Sequence, residues 1–194
     1  MKATYKGFEA KKSGGFIELP PVGAYVAEIQ AVRVVEQNDR DVIELFMDIV
    51  EGEYANRFHE VYEDQKERFG DSAKYKGIFR LTPPIEGDED WRKRAFEGNL
   101  WCVQQSNAGY SWDWDEKKLK GKKVGISIRK RLYTYNGKDR ETTEIGRFET
   151  IDDVKAGKVK PMKDRDNRTS ESTVESTDGS EFTNVSTEIE VPWN

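Results

Sequence analysis

Apolar and polar residues alternate with a period of two along several stretches of this chain, the signature of half-buried β-strands. After the turn-forming run Pro20-Pro21-Val22-Gly23, residues 22–35 are rich in β-branched and apolar side chains. Tyr25, Ala27, Ile29 and Ala31 fall on one side, and Val26, Val32 and Val34 on the other. The polar run Glu36-Gln37-Asn38-Asp39-Arg40 predicts a hairpin connection of about five residues. In residues 42–50, Ile43, Leu45, Met47 and Ile49 form a core face, opposite Val42, Glu44, Phe46, Asp48 and Val50. A turn over residues 51–56 then leads into a third predicted strand, 57–62.

The middle of the chain reads differently. Residues 63–84 are charged, contain Gly70 and Gly77, and finish at Pro83-Pro84. A helix is expected over 88–106, with Trp91, Ala95, Leu100 or Trp101, and Val103 apolar and Gly98-Asn99 weakening its centre. An aromatic loop follows, Tyr110-Ser111-Trp112-Asp113-Trp114. Alternation returns over 123–135 and 140–148, joined by Asn136-Gly137, the strongest short hairpin signal. A helical turn is expected within 152–157. After Pro161 the chain turns to Ser, Thr and Glu with little to bury, and disorder is expected.

Three strands, a helical insertion and two more strands make a mainly β fold. That order is the chain order of an OB-fold, a small Greek-key β-barrel, although another five- or six-stranded barrel or sandwich would share it. The expected organisation is a leader over 1–19 that packs on the body, an OB-like domain over 20–162 with its helical and aromatic insertion at about 63–115, and an acidic tail over 163–194.

Charge changes this picture in one respect. Between residues 167 and 194, Arg168 stands against Glu171, Glu175, Asp178, Glu181, Glu188 and Glu190, so this stretch holds the whole formal charge of −5. The body is neutral overall and can carry a local basic face. Cys102 is the only cysteine, which excludes an internal disulfide and suits a reducing compartment. The first residues lack the apolar run of a signal peptide, and no stretch approaches the roughly 20 apolar residues of a membrane span. A cytoplasmic protein with no membrane partner is expected.

The richest chemistry lies between Lys117 and Tyr135. Lys117, Lys118, Lys120, Lys122, Lys123, Arg129, Lys130 and Arg131 follow one another without an acid from 117 to 131. Gly125, Ser127, Arg129, Arg131, Tyr133 and Tyr135 share one strand face, with alternate residues about 7 Å apart. Guanidinium groups offset phosphate charge and aromatic rings stack on exposed bases, so this face suits single-stranded nucleic acid. Lys138 and Arg140 extend the set across the turn. Phe46, on the non-core face of its strand, is a further candidate stacking platform, or else it packs against the leader or the inserted helix. Trp101, Trp112 and Trp114 either stack bases or form a satellite core that pins the helix to the barrel. A basic, aromatic strand face can also be no more than a solvated sheet surface.

The tail ends in Glu188-Ile189-Glu190-Val191-Pro192-Trp193-Asn194. An apolar tip on an acidic tether suits docking into a partner's apolar pocket rimmed by Lys or Arg, and its acids could compete with nucleic acid for the basic face. Signs of catalysis are absent from the sequence. His59 is the only histidine, Cys102 sits in the expected helix, and there is no Gly-rich phosphate loop or Cys-x-x-Cys pair. No catalytic residue, metal site or cofactor is expected. Two alternatives stay open: a non-enzymatic protein–protein interaction module of a phage, and a metal-dependent nuclease built on the abundant acids.

Three segments carry a resemblance. Pro21-Val22-Gly23-Ala24-Tyr25 followed by Ile43-Glu44-Leu45 and Ile49-Val50-Glu51-Gly52-Glu53-Tyr54-Ala55-Asn56, then Leu119-Lys120-Gly121-Lys122-Lys123-Val124-Gly125, resemble the single-stranded DNA-binding proteins of phages and mobile elements. The tip from Glu188 to Trp193 is similar to the acidic tail by which such proteins recruit partners, although Asn194 follows the final aromatic here. The resemblance implies an OB-fold, sequence-tolerant coating of single-stranded DNA in a bacterial host cell, and replication or recombination proteins as tail partners. A homo-oligomer is compatible with it, and catalysis is not implied.

Overall fold

A computed structural model describes residues 15–168. Its strands are β1 (Gly23–Gln37), β2 (Arg40–Ile49), β3 (Ile78–Leu81), β4 (Lys123–Tyr135), β5 (Lys138–Glu149) and β6 (Arg165–Asn167). The helices are α1 (Arg57–Phe69), α2 (Asp90–Ser106) and α3 (Ile151–Lys155). The protein is mainly β, with one six-stranded sheet ordered β3-β2-β1-β4-β5, and β6 added alongside β4. All ladders are antiparallel except β4–β6.

β1 is the pivot. Its first residues, Gly23 to Glu28, pair with β4, while Ala27 to Gln37 pair with β2. A bulge between Ile29 and Ala31 bends the strand so that it serves both partners. The expected five-residue loop contracts to Asn38-Asp39, both in the left-handed region (φ 53° and 57°), and Gln37 and Arg40 are already paired. The Asn136-Gly137 turn is as expected, with φ 51° and 69°, the geometry of a two-residue hairpin whose twist matches its strands.

The third strand is a correction. Residues 57–62 belong to α1, and β3 comes sixteen residues later, at Ile78–Leu81. Phe58, Val61 and Tyr62 fall on one side of a helix but on both sides of a strand, and Phe58 and Val61 are buried. The N-terminus of α1 is held from outside the helix. Asp48 on β2 is buried and accepts the backbone N–H of Phe58 (3.1 Å), of His59 (2.9 Å) and of its own neighbour Ile49 (2.8 Å). Burial pushes the Asp48 carboxyl above its ordinary range, and the three N–H donors oppose that shift.

α2 runs unbroken through Gly98. A Cβ there would meet nothing, so the glycine lies on the open side while Phe96, Leu100 and Val103 hold the other side in the core. A closed barrel would pair β3 with β5, and that closure is not shown. β3 and β5 approach closely enough for the Phe79 and Phe148 rings to lie 4.4 Å apart, yet among the described residues no ladder joins them. The Phe148 N–H is taken by the Asn99 side chain (2.9 Å), and its carbonyl faces Cys102 Sγ (3.6 Å). Both backbone groups of Phe148 are thus used by the helix.

The inner face is a continuous apolar core of Ala27, Ile29, Ile43, Leu45, Met47, Ile49, Phe79, Leu81, Val124, Ile126, Ile128, Ile145 and Phe148. Cys102 belongs to it, and burial pushes its thiol up to about 11, the state of a packed cysteine. From the leader, Leu19 packs against this core, while the exposed Phe16 ring stacks outside it on the exposed Phe69 at 6.5 Å. The ordered body extends past the expected boundary at 162. Met162 lies where a Cβ on Gly146 would be, and β6 pairs Arg165–Asn167 with Arg131–Tyr133.

Candidate nucleic-acid interface

The β4–β5 hairpin places the expected residues in cross-strand register. Tyr135 faces Lys138, Tyr133 faces Arg140, Arg131 faces Thr142 and Arg129 faces Glu144. Directly opposed residues share a face, so Arg129, Arg131, Tyr133, Tyr135, Lys138 and Arg140 lie on one outward surface. Tyr135 is 61% exposed, and the Arg131 guanidinium lies 5.9 Å from the centre of the Tyr133 ring. Lys130 projects separately and pairs with Glu141 at 3.2 Å. Lys123 is exposed at the start of β4, where the Asn107 side chain binds its backbone N–H and carbonyl.

Two features of this face were not legible in the sequence. Glu144 sits among three arginines: Arg129 at 2.8 Å, Arg165 at 3.7 Å and Arg131 at 3.8 Å. The basic strand is therefore partly neutralised from β5. The second feature is the segment from α3 to β6, which crosses the same face. Met162 approaches Gly146 beside Arg129, and the Lys160 carbonyl accepts from Arg147. The face begins in the cover of α3, whose Val154 lies against Gly125, and opens toward the hairpin tip.

Phe46 is not on this surface. It is buried, its ring 6.2 Å from Tyr75 and with the Arg33 guanidinium 5.5 Å from its centre. α1 and the segment carrying Tyr75 cover the second side of β2, so strict alternation marked a non-core face that the fold buries. The tryptophans separate in the same way. Trp112 and Trp114 gather on Phe96, at 6.3 and 5.9 Å, as a satellite cluster on α2. Trp101 stands out on the helix, 53% exposed. The docking tip from Glu188 to Trp193 lies outside the described residues.

The outward side of β1, β2 and β3 adds cations that the sequence scattered. Arg33, Glu44 and Arg80 align across the three strands. Glu44 is buried, with one carboxylate oxygen accepting from Arg33 Nε at 3.1 Å and the other from Arg80 Nε at 2.9 Å. Two arginines on one carboxylate leave one positive charge over. Just before β3, loss of water around Lys76 and the positive charges of Lys74 and Arg131 hold its ammonium below the usual lysine range. Among the described residues, no group of three or more His, Cys, Asp or Glu side chains is placed to hold a metal ion, and no helix is long and apolar enough to cross a membrane.

Neither the known protein families nor the curated proteins contain a match to this chain.

Proposed function

We propose that the chain is a single-stranded DNA-binding protein that coats its ligand without reading sequence and does no chemistry on it. The observation that carries this reading is the outward face of the β4–β5 hairpin, where Arg131, Tyr133, Tyr135, Lys138 and Arg140 share one surface and the Arg131 guanidinium lies 5.9 Å from the Tyr133 ring centre. Cations held on one outward face are met by a polyanion, which supplies phosphates and releases its own counterions. Tyr133 and Tyr135 offer ring faces at two-residue spacing, which suits successive unpaired bases better than a duplex whose bases are stacked inside.

The architecture supports the same reading. A bent first strand shared between two partners, the order β3-β2-β1-β4-β5 and a helix between β3 and β4 support an OB-type reading, in which β3 and β5 would form the seam. In that fold the faces of the second and third strands and the β1–β2 and β4–β5 loops meet nucleic acid. The acidic tail, with Glu188 to Trp193 at its end, would recruit replication or recombination proteins of a phage or mobile element.

Titration of the full-length protein with labelled oligo-dT tests the proposal. Binding should weaken steeply as salt rises, and Arg131→Ala should reduce it. An equal affinity for duplex DNA, or no binding at low salt, would overturn the reading.

A further inference from the structure

A groove lies between β3 and the first turns of α2, away from the β4–β5 hairpin. Its cavity of about 260 Å³ is lined by Arg40, Arg80, Trp91, Arg92, Phe96 and Asn99, among others. That volume is below the roughly 300–1,000 Å³ of pockets for drug-sized ligands and suits one planar group. Trp91 is 55% exposed, an unusual position for so large an apolar ring. Its indole N–H donates to Glu89, which fixes the ring, and the Arg92 guanidinium lies 4.8 Å from the ring centre.

The charges around the groove are uneven. Arg40 is committed to Asp88, its Nη1 donating at 3.0 Å, and this pair ties the start of β2 to the loop before α2. Arg80 shares Glu44 with Arg33, and its side chain is still 54% exposed. Arg92 makes no ion pair among the described residues. Among the residues lining the groove, Arg40, Arg80 and Arg92 are cationic and none is acidic; Arg40 is paired with Asp88 and Arg80 with Glu44. Arg80 belongs to both surfaces: it ends the Arg33–Glu44–Arg80 row on the outward sheet face and it lines the groove.

We infer that this groove takes one further nucleotide of a single strand leaving the sheet face, its base stacked on Trp91 and its phosphate between Arg80 and Arg92. The inference rests on the proposed function and extends it to a second contact, on a different element from the basic hairpin. An indole fixed at its edge, with the Arg92 guanidinium at its ring and Arg80 lining the same groove, provides stacking and one phosphate contact together.

The test uses the full-length protein and labelled oligo-dT of about 20 nucleotides, longer than a single OB-type site. Trp91→Ala should weaken binding roughly 5- to 100-fold, the range for loss of one stacked base. Trp91→Phe should keep most of the affinity, and Arg92→Ala should lower the log–log salt slope by about one. The exposed position of Trp91 predicts unchanged unfolding midpoints for all three variants. Wild-type affinity in Trp91→Ala, or a loss in Trp91→Phe as large as in Trp91→Ala, overturns the inference. If Arg131→Ala weakens binding while Trp91→Ala does not, the protein binds DNA without this groove. If the wild-type protein does not bind at all, the proposed function itself has failed.

Discussion

Glu144 on β5 accepts a hydrogen bond from Arg129 Nε on β4 at 2.9 Å, and the same carboxylate lies within 4 Å of both Arg131 and Arg165. An arginine held by a carboxylate must give up that partner, at least in part, before it can meet a phosphate. Glu144 therefore restrains the surface that the sequence presents as purely basic.

Replacing Glu144 by Gln keeps an acceptor for Arg129 and removes the charge. Oligo-dT binding should tighten by about 3- to 10-fold at low salt, with a salt slope steeper by about one. Fluorescence anisotropy over a salt series measures both. Unchanged or weaker binding would mean that these arginines do not meet the ligand.

Lys76 supplies a proton-linked prediction. Its ammonium is held below the usual lysine range in the free protein, and a bound phosphate would raise it again. Between the lowered value and the raised one, the complex holds the proton more tightly than the free protein does. Affinity should then fall as pH rises through this alkaline window, with proton uptake on binding. Calorimetry in buffers of different ionisation enthalpy reads the uptake, and Lys76→Met should abolish the part due to this residue.

Asp48 is the equivalent test for the fold. Its carboxylate satisfies three backbone N–H groups, two of them at the start of α1. Asp48→Ala leaves those donors buried without partners and should cost about 2–3 kcal/mol in urea unfolding. The folded carboxyl binds its proton more tightly than the unfolded one. The stabilising contribution of that proton is fully present below the ordinary aspartate range and is lost as pH rises through the raised value. Asp48→Asn should remove this dependence.

Gly125 lies where β4 passes beneath α3. A Cβ there would come within 2.6 Å of Val154 Cγ2 and 2.9 Å of the carbonyl oxygens of Glu149 and Thr150. The methyl of Val154 can shift, but the two carbonyls belong to the backbone. Gly125→Ala should destabilise the protein by about 1–3 kcal/mol, as overpacking does, and expose the α3 segment to limited proteolysis. A variant as stable and as resistant as the wild type would refute this account of the crossing.

Local pattern determined much of the architecture from sequence alone. Alternation and turn chemistry placed β1, β2 and the β4–β5 hairpin, because strand faces repeat every two residues and Asn-Gly supplies two positive φ angles. On α2 only Leu100 and Val103 of the expected apolar side are buried, while Trp91, Ala95 and Trp101 are exposed and Phe96 and Cys102 take the core positions; the tail's charge excess needs only counting. Tertiary structure decided the remainder. Phe58 and Val61 read as helix only once a buried Asp48 receives the N–H groups of α1. Phe46 looked exposed until α1 and Tyr75 covered it. Asn99 and Cys102 of α2 take the backbone groups of Phe148, a contact between distant segments. The basic strand became a mixed surface because Glu144 on β5 sits among Arg129, Arg131 and Arg165. Periodicity records which side of an element a residue takes, whereas the partners on that side are set by long-range packing and electrostatics, which no local pattern encodes.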